Sequence, residues 1–149
     1  EPGLMLLGDD SLLRTAFSNL VFNAIRHTPQ RTQVSVTWRR GGEHAEMAVR
    51  DDGMGIPTRH LPRLTERFYR VDAGRSRAAG GTGLGLAIVR QILELHDAQL
   101  LISSEEGRGS LFTCRFPAQR LRDFSEGAVV EEQDTRSIVS PSDSLRART

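Results

Sequence analysis

Eight apolar residues constrain this chain more than any other feature. Leu12, Leu13, Ala16, Phe17, Leu20, Val21, Ala24 and Ile25 recur at i, i+3 and i+4 spacing, which marks a helix that buries one whole face. Asp9 or Asp10 offers its N-cap and Pro29 its stop. A stripe that wide needs a partner surface, and the next residues supply one. Val34, Val36 and Trp38 alternate with Ser35 and Thr37, the period of a half-buried strand. Gly41-Gly42 turns the chain, and Glu43 to Asp51 returns as a second strand.

A second helix is expected to open at Thr82 or Gly83, with Leu84, Ala87, Ile88, Ile92 and Leu95 among its apolar positions. Gln99 to Ser104 and Ser110 to Phe116 read as two more strands about a Glu105-Glu106-Gly107 turn, and Leu4 to Leu7 as an edge strand. This order predicts an α+β two-layer sandwich, a mixed sheet with helices on one face. Residues 52–82 are rich in Gly, Pro and Arg and poor in apolar repeats. So long an irregular segment inside a compact domain is usually functional. The ordered domain is expected over residues 1–118. Residues 119–149 are charged and Ser-rich and read as a disordered tail.

A formal net charge of +1 provides no global field for nucleic acid or an acidic membrane. Cys114 is the single cysteine, so no internal disulfide framework exists, and it reads as a small buried hydrophobe. No apolar run approaches the ~18 residues of a membrane span, and no signal peptide is visible. The chain opens on Glu1 rather than Met, which suggests a piece of a longer protein, with any membrane anchor in N-terminal segments outside it.

Three motifs carry chemistry. Asn19 and Asn23 stand four residues apart on one face of the first helix, followed by Arg26 and His27. An Asn oxygen is a hard, neutral ligand suited to Mg²⁺, although two amides on a helix face also read as solvated surface. Asp51-Asp52-Gly53-Met54-Gly55-Ile56 ends a strand. A carboxylate there can accept from an exocyclic amine, and the glycines let backbone approach a ring; Asp-Gly is also a common turn pair. Gly80-Gly81-Thr82-Gly83-Leu84-Gly85-Leu86 concentrates glycines where a helix begins, presenting N–H groups suited to polyphosphate. Neither the Walker spacing nor the dinucleotide fingerprint is present.

Together these stretches resemble the ATP-binding catalytic domain of bacterial sensor histidine kinases. Asn19-Leu20-Val21-Phe22-Asn23-Ala24 resembles the N box, Asp51 to Gly55 the G1 box, and Glu66-Arg67-Phe68-Tyr69-Arg70 the F box. Gly81 to Leu86 resembles the G2 box, and Gly107-Arg108-Gly109-Ser110-Leu111-Phe112 the small terminal glycine box. The stretch from His60 to Asp72 is most similar to the phosphate-regulon branch of that family, which implies phosphate sensing.

The resemblance implies ATP and Mg²⁺ as ligands and a mobile ATP lid. Asn23 would hold Mg²⁺, with Asn19 beside the phosphates and Arg26 reaching phosphate oxygens; these three form the expected catalytic set. His27 would lie near the nucleotide. Asp51 would read adenine N6, with Gly53, Gly55 and Ile56 shaping the pocket. Gly81, Thr82, Gly83, Leu84, Gly85 and Leu86 would border the phosphates. Phe68 would pack the lid onto the body, with Arg67, Arg70, Arg75 and Arg77 as lid-borne charges. Asp97-Ala98 departs from the glycines the family often shows at that helix end. The implied partners are a histidine-bearing dimerisation domain of the same protein and a response regulator. The implied setting is the cytoplasmic side of an inner-membrane homodimer.

The fold also serves gyrase, mismatch-repair and chaperone ATPases, whose general base is a Glu four residues before the metal-binding Asn. Here that position is Asn19, and an amide cannot take a proton. The alternatives are a serine kinase of the anti-sigma-factor type, or a nucleotide-binding interaction domain without catalysis.

Overall fold

The computed structural model describes residues 3–27, 33–71 and 82–123. Among them the elements run β1 (Leu4–Leu6), α1 (Asp10–His27), β2 (Val34–Gly41), β3 (His44–Asp51), α2 (Gly85–Leu95), β4 (Gln99–Glu105), β5 (Gly109–Pro117) and β6 (Leu121–Asp123). Short 3-10 turns occupy Thr58–Arg63 and Ala118–Arg120. Strands β2, β3, β5 and β4 lie side by side in that order, and β1 pairs with β6 in a separate ribbon. Both helices contribute to one core on one face of the larger sheet, as the α+β sandwich requires. No described helix is long and apolar enough to cross a membrane.

Every ladder is antiparallel, which corrects the expectation of a mixed sheet. The α2 crossover does bring β4 in running the same way as β3. Strand β5 slots between them, so that Phe112 faces Val49 on one side and Ile102 on the other. The two parallel strands are therefore never neighbours.

Asp9 is the N-cap of α1: its Oδ1 accepts the Leu12 N–H at 2.9 Å. Leu13, Ala16, Leu20 and Ala24 are buried along the stripe, and the Phe17 ring meets Phe116 edge-on at 6.1 Å. Ile25, expected in the stripe, is exposed, because the sheet reaches only the narrower face centred on Leu20. Pro29 lies outside the described residues.

Helix α2 starts at Gly85 rather than at Thr82 or Gly83, and its buried face is Val89, Ile92 and Leu93. Leu95 is exposed, and the next residue, His96, closes the stripe instead. The His96 ring has Nδ1 2.7 Å from the Ile92 oxygen, while Nε2 accepts the Asp9 N–H at 3.1 Å. This histidine fastens the end of α2 to the start of α1. Asp97 then takes φ +55°, and the Ala98 N–H reaches back to the Leu93 oxygen at 2.8 Å. The helix thus ends in a Schellman turn with a carboxylate residue at the left-handed position that favours glycine.

The expected boundary at 118 is corrected by β6, where Leu121 is buried and pairs with Leu6. Three residues with only one apolar side chain carry too little periodicity to be read as a strand. Residues 124–149 lie outside the described residues. The ribbon is tied to the sheet by Trp38 Nε1 donating to the Leu4 oxygen at 3.0 Å and by an Arg40–Asp123 ion pair.

On the open face of the sheet, Glu46 accepts from Arg115 Nη2 at 2.9 Å and Arg39 Nη2 at 3.0 Å, with His44 Nε2 at 3.2 Å. The Arg115 hydrogen bonds, more than the other partners, hold its carboxyl below the ordinary value of 4.5. Cationic side chains rather than protein bulk cover it, so desolvation opposes this only in part. Because the unfolded chain protonates Glu46 first, its contribution is complete above that ordinary value and is lost as pH falls through the folded one. Glu46→Gln is expected to cost about 1–2 kcal/mol at pH 7. Denaturant melts at pH 7 and pH 3 check this: the deficit should shrink at the lower pH.

Candidate functional site

The far ends of β3 and β5, the C-terminal half of α1 and the N-terminus of α2 converge. Asn19 and Asn23 are half-buried on α1. Asn19 Nδ2 donates to the Thr15 oxygen at 2.9 Å, and a methyl on Gly85 would sit 3.1 Å from Asn19 Oδ1. The start of α2 therefore lies directly against this asparagine. Leu84 is its N-cap residue, and no side chain caps the helix, which leaves first-turn N–H groups for an anion.

The paired aspartates separate. Asp52 is structural: its Oδ1 accepts the Gln33 N–H at 2.6 Å, pinning the entry to β2. Asp51 is buried, and its Oδ1 accepts the Gly53 N–H at 3.0 Å. Gly53 is buried beside it, while Gly55 and Ile56 are half-buried. Gly55 has φ +66°, and a Cβ there would fall 2.0 Å from the Glu105 oxygen, so only glycine fits. The Ile56 N–H donates to Ser104 Oγ at 2.8 Å. The loop after β3 is thereby pressed against the β4–β5 hairpin.

Arg26 and His27 end α1, exposed at the rim. The His27 imidazole is held below its ordinary pKa, first by the protein crowded beneath it, then by the Arg26 and Arg70 charges, with Asp51 acting in the opposite sense. His27 is exposed by area yet partly desolvated by the protein around it, as a residue on a cleft lip is. The lid arginine, the α1 terminus and the β3 carboxylate are thus electrostatic neighbours. Arg70 Nη2 is buried and has no hydrogen-bond partner among the described residues. A buried guanidinium nitrogen left unpaired is costly, and an anionic guest would satisfy it.

Phe68 does not pack the lid onto the body; the residue is 70% exposed. Its backbone does the anchoring: φ is +66°, and its N–H donates to the Gly83 oxygen at 2.9 Å. Gly83, at φ +72°, would place a Cβ 2.8 Å from the Phe68 carbonyl carbon. That close approach turns the ring outward. The lid base is held instead by buried Leu64, by Tyr69 Oη 2.6 Å from His60 Nδ1, and by the Arg63 guanidinium 4.3 Å over the Tyr69 ring. Thr82 and Arg67 are exposed, and Leu84, Gly85 and Leu86 are half-buried. Gly81, Arg75 and Arg77 lie outside the described residues.

The residues fit a nucleotide with its metal. No group of three His, Cys, Asp or Glu side chains clusters among the described residues, so a divalent ion would draw its remaining ligands from phosphate and water around an Asn oxygen. Sequence reasoning placed no site residue on the β4–β5 hairpin, yet Ser104 and Gly109 brace the Asp51 loop. The signal was the Gly107-Arg108-Gly109 spacing. An apolar hollow of about 520 Å³ lies elsewhere, between β1, α1 and β2; it lacks the polar groups of the cleft.

Residues 8–120 match the model of the histidine kinase-, DNA gyrase B- and HSP90-like ATPases, and the chain belongs to that family. Among individual relatives it is similar to the phosphate regulon sensor protein PhoR of Pseudomonas aeruginosa, 53% identical over 119 residues, which cover 79% of this chain and 27% of that protein. It is also similar to the sensor-like histidine kinase SenX3 of Mycolicibacterium smegmatis, 49% identical over 77% of this chain and 30% of that protein. The chain thus spans under a third of either relative. Of solved structures, the mycobacterial sensor histidine kinase MprB superposes with a TM-score of 0.71 at 31% identity, over 81% of this chain and 80% of that one. Full-length ShkA in complex with AMPPNP superposes with a TM-score of 0.65 at 28% identity, over 75% of this chain and 22% of that one.

Proposed function

We propose that this chain is the catalytic domain of a two-component sensor histidine kinase, binding Mg²⁺–ATP in the cleft between α1, α2 and the lid base. The phosphate-regulon relative at 53% identity favours phosphate signalling as its setting. The observation that carries the reading is Arg70 Nη2, buried without a hydrogen-bond partner among the described residues and near enough to His27 for its charge to act there.

Asp51 accepts the adenine amine with the oxygen it does not share with Gly53. The first-turn N–H groups of α2, Arg26 and Arg70 take the phosphates. Mg²⁺ would neutralise phosphate charge, and Asn23 would be its protein ligand. Asn19 offers no proton acceptor for water, which disfavours hydrolysis and favours transfer to a nucleophile from another domain. That nucleophile is a histidine on a separate helical dimerisation domain. Its ring nitrogen bonds to the γ-phosphorus as the bond to the β-phosphate oxygen breaks, and ADP leaves with the electron pair. A response-regulator aspartate then receives the phosphoryl group.

Of the four histidines, His44, His60 and His96 are each engaged in contacts within the domain, and His27 belongs to the cleft rim at the end of α1 rather than to a separate helix. The isolated chain should therefore bind a fluorescent ATP analogue in a Mg²⁺-dependent way yet incorporate little label from γ-labelled ATP. Added dimerisation domain from a phosphate-regulon relative should become labelled. Strong self-labelling, or no Mg²⁺-dependent binding, would overturn the proposal.

A further inference from the structure

We infer that Ser104 is a positioning residue for base recognition, holding the Asp51 carboxylate free for the adenine amine; this rests on the proposed reading of the cleft. Ser104 lies on β4, outside every motif singled out in the sequence. Its hydroxyl joins three partners: it accepts the Ile56 N–H at 2.8 Å, donates to the Gly109 oxygen at 2.9 Å, and lies 3.1 Å from Ser110 Oγ. One proton and two lone pairs are all that a serine has, so these contacts use it completely.

Two consequences reach Asp51. The first is mechanical. Ile56 ends the loop that begins at Asp51, and the Gly107 N–H adds a second tie to the Met54 oxygen at 2.7 Å. With Gly55 packed on the Glu105 carbonyl, the loop has no slack, and the Gly53–Asp51 contact is held in register. The second concerns a proton. Ser110 stands directly opposite Asp51 in the β3–β5 ladder, so their side chains are cross-strand neighbours. With the Ser104 proton on Gly109, the Ser110 hydroxyl donates to Ser104 rather than to Asp51. The second carboxylate oxygen of Asp51 then keeps its lone pairs for an incoming amine. Without Ser104, the Ser110 hydroxyl is released to compete for that oxygen.

The test titrates the full chain with Mg²⁺–ATP and Mg²⁺–GTP by displacement of a fluorescent analogue. Ser104→Ala should raise the Kd for ATP about five- to tenfold while leaving that for GTP within about twofold, the scale of one lost hydrogen bond. Ser104→Thr, which keeps the hydroxyl, should recover most of the preference, and Ser103→Ala on the opposite face should change nothing. A merely structural role would lower the melting temperature without moving the ATP/GTP ratio. If Ser104→Ala leaves the ratio unchanged while Asp51→Asn collapses it, the inference falls and the cleft reading stands. If Asp51→Asn also leaves it unchanged, adenine is read elsewhere and both fall. Hydrogen exchange of the wild-type Ile56 amide adds a measurement that needs no variant: it should be protected, and rapid exchange in the folded chain would overturn the tie.

Discussion

Asn23→Ala is expected to abolish most of the Mg²⁺-dependent component of nucleotide binding, raising the Kd for ATP at least about thirtyfold, or about 2 kcal/mol. Asn19→Ala should cost less than about fivefold. The two amides differ in what already occupies them. Asn19 is drawn back along its own helix by the Thr15 oxygen and lies beside Gly85, so its part is to seat the start of α2. Asn23 stands one turn closer to His27 and the helix end. An amide oxygen is a sound ligand for a hard cation that keeps phosphate and water as its other partners. Binding of a fluorescent ATP analogue with Mg²⁺ and with EDTA separates the effects. Equal losses in the two variants, or an Asn23→Ala loss that persists in EDTA, would remove the ligand assignment.

Gly109→Ala should rank with Gly55→Ala as the most damaging methyls a glycine of this domain could gain. Gly109 has φ +97°, and a Cβ there would lie 2.0 Å from the Asp51 oxygen, backbone that cannot step aside. Strain and overlap together should cost on the order of 3–5 kcal/mol, a large share of a domain's stability. Gly107 is the internal control. It is also left-handed, at φ +83°, but nothing lies within 4 Å of its would-be Cβ. Gly107→Ala should therefore show only the conformational penalty, about 1 kcal/mol. Thermal denaturation of both variants distinguishes contact from conformation. Similar melting temperatures for the two would mean that the hairpin does not press on Asp51.

The sequence made α1 legible because its stripe repeats over about four turns, and its members from Leu13 to Ala24 point where the spacing says. Helix α2 was harder. Its apolar residues outnumber the buried ones, and the choice between Leu95 and His96 as the inward residue depends on Asp9, far away in the chain. The site divides in the same way. Asp51, Gly55 and the asparagine pair stand in contiguous motifs, so their candidacy can be read from residue type and spacing. Phe68 misled, because an aromatic in a lid suggests packing, whereas its direction is set by a backbone approach to Gly83. Ser104 could not be found locally at all: its partners are Ile56, Gly109 and Ser110, and a serine alternating in an edge strand carries no mark of them.

The β1–β6 ribbon puts Leu4 opposite Asp123 and joins the sheet at Trp38 and Arg40, whereas Asp51 closes the other end of β3. Seven residue steps of strand separate His44 from Asp51, a radius of about 24 Å. Measured from the ribbon, the candidate cleft at Asp51 is the tip of an arm of that length. Each degree of rotation about the ribbon carries the tip about 0.4 Å, so a swivel of about ten degrees displaces the candidate cleft by about 4 Å.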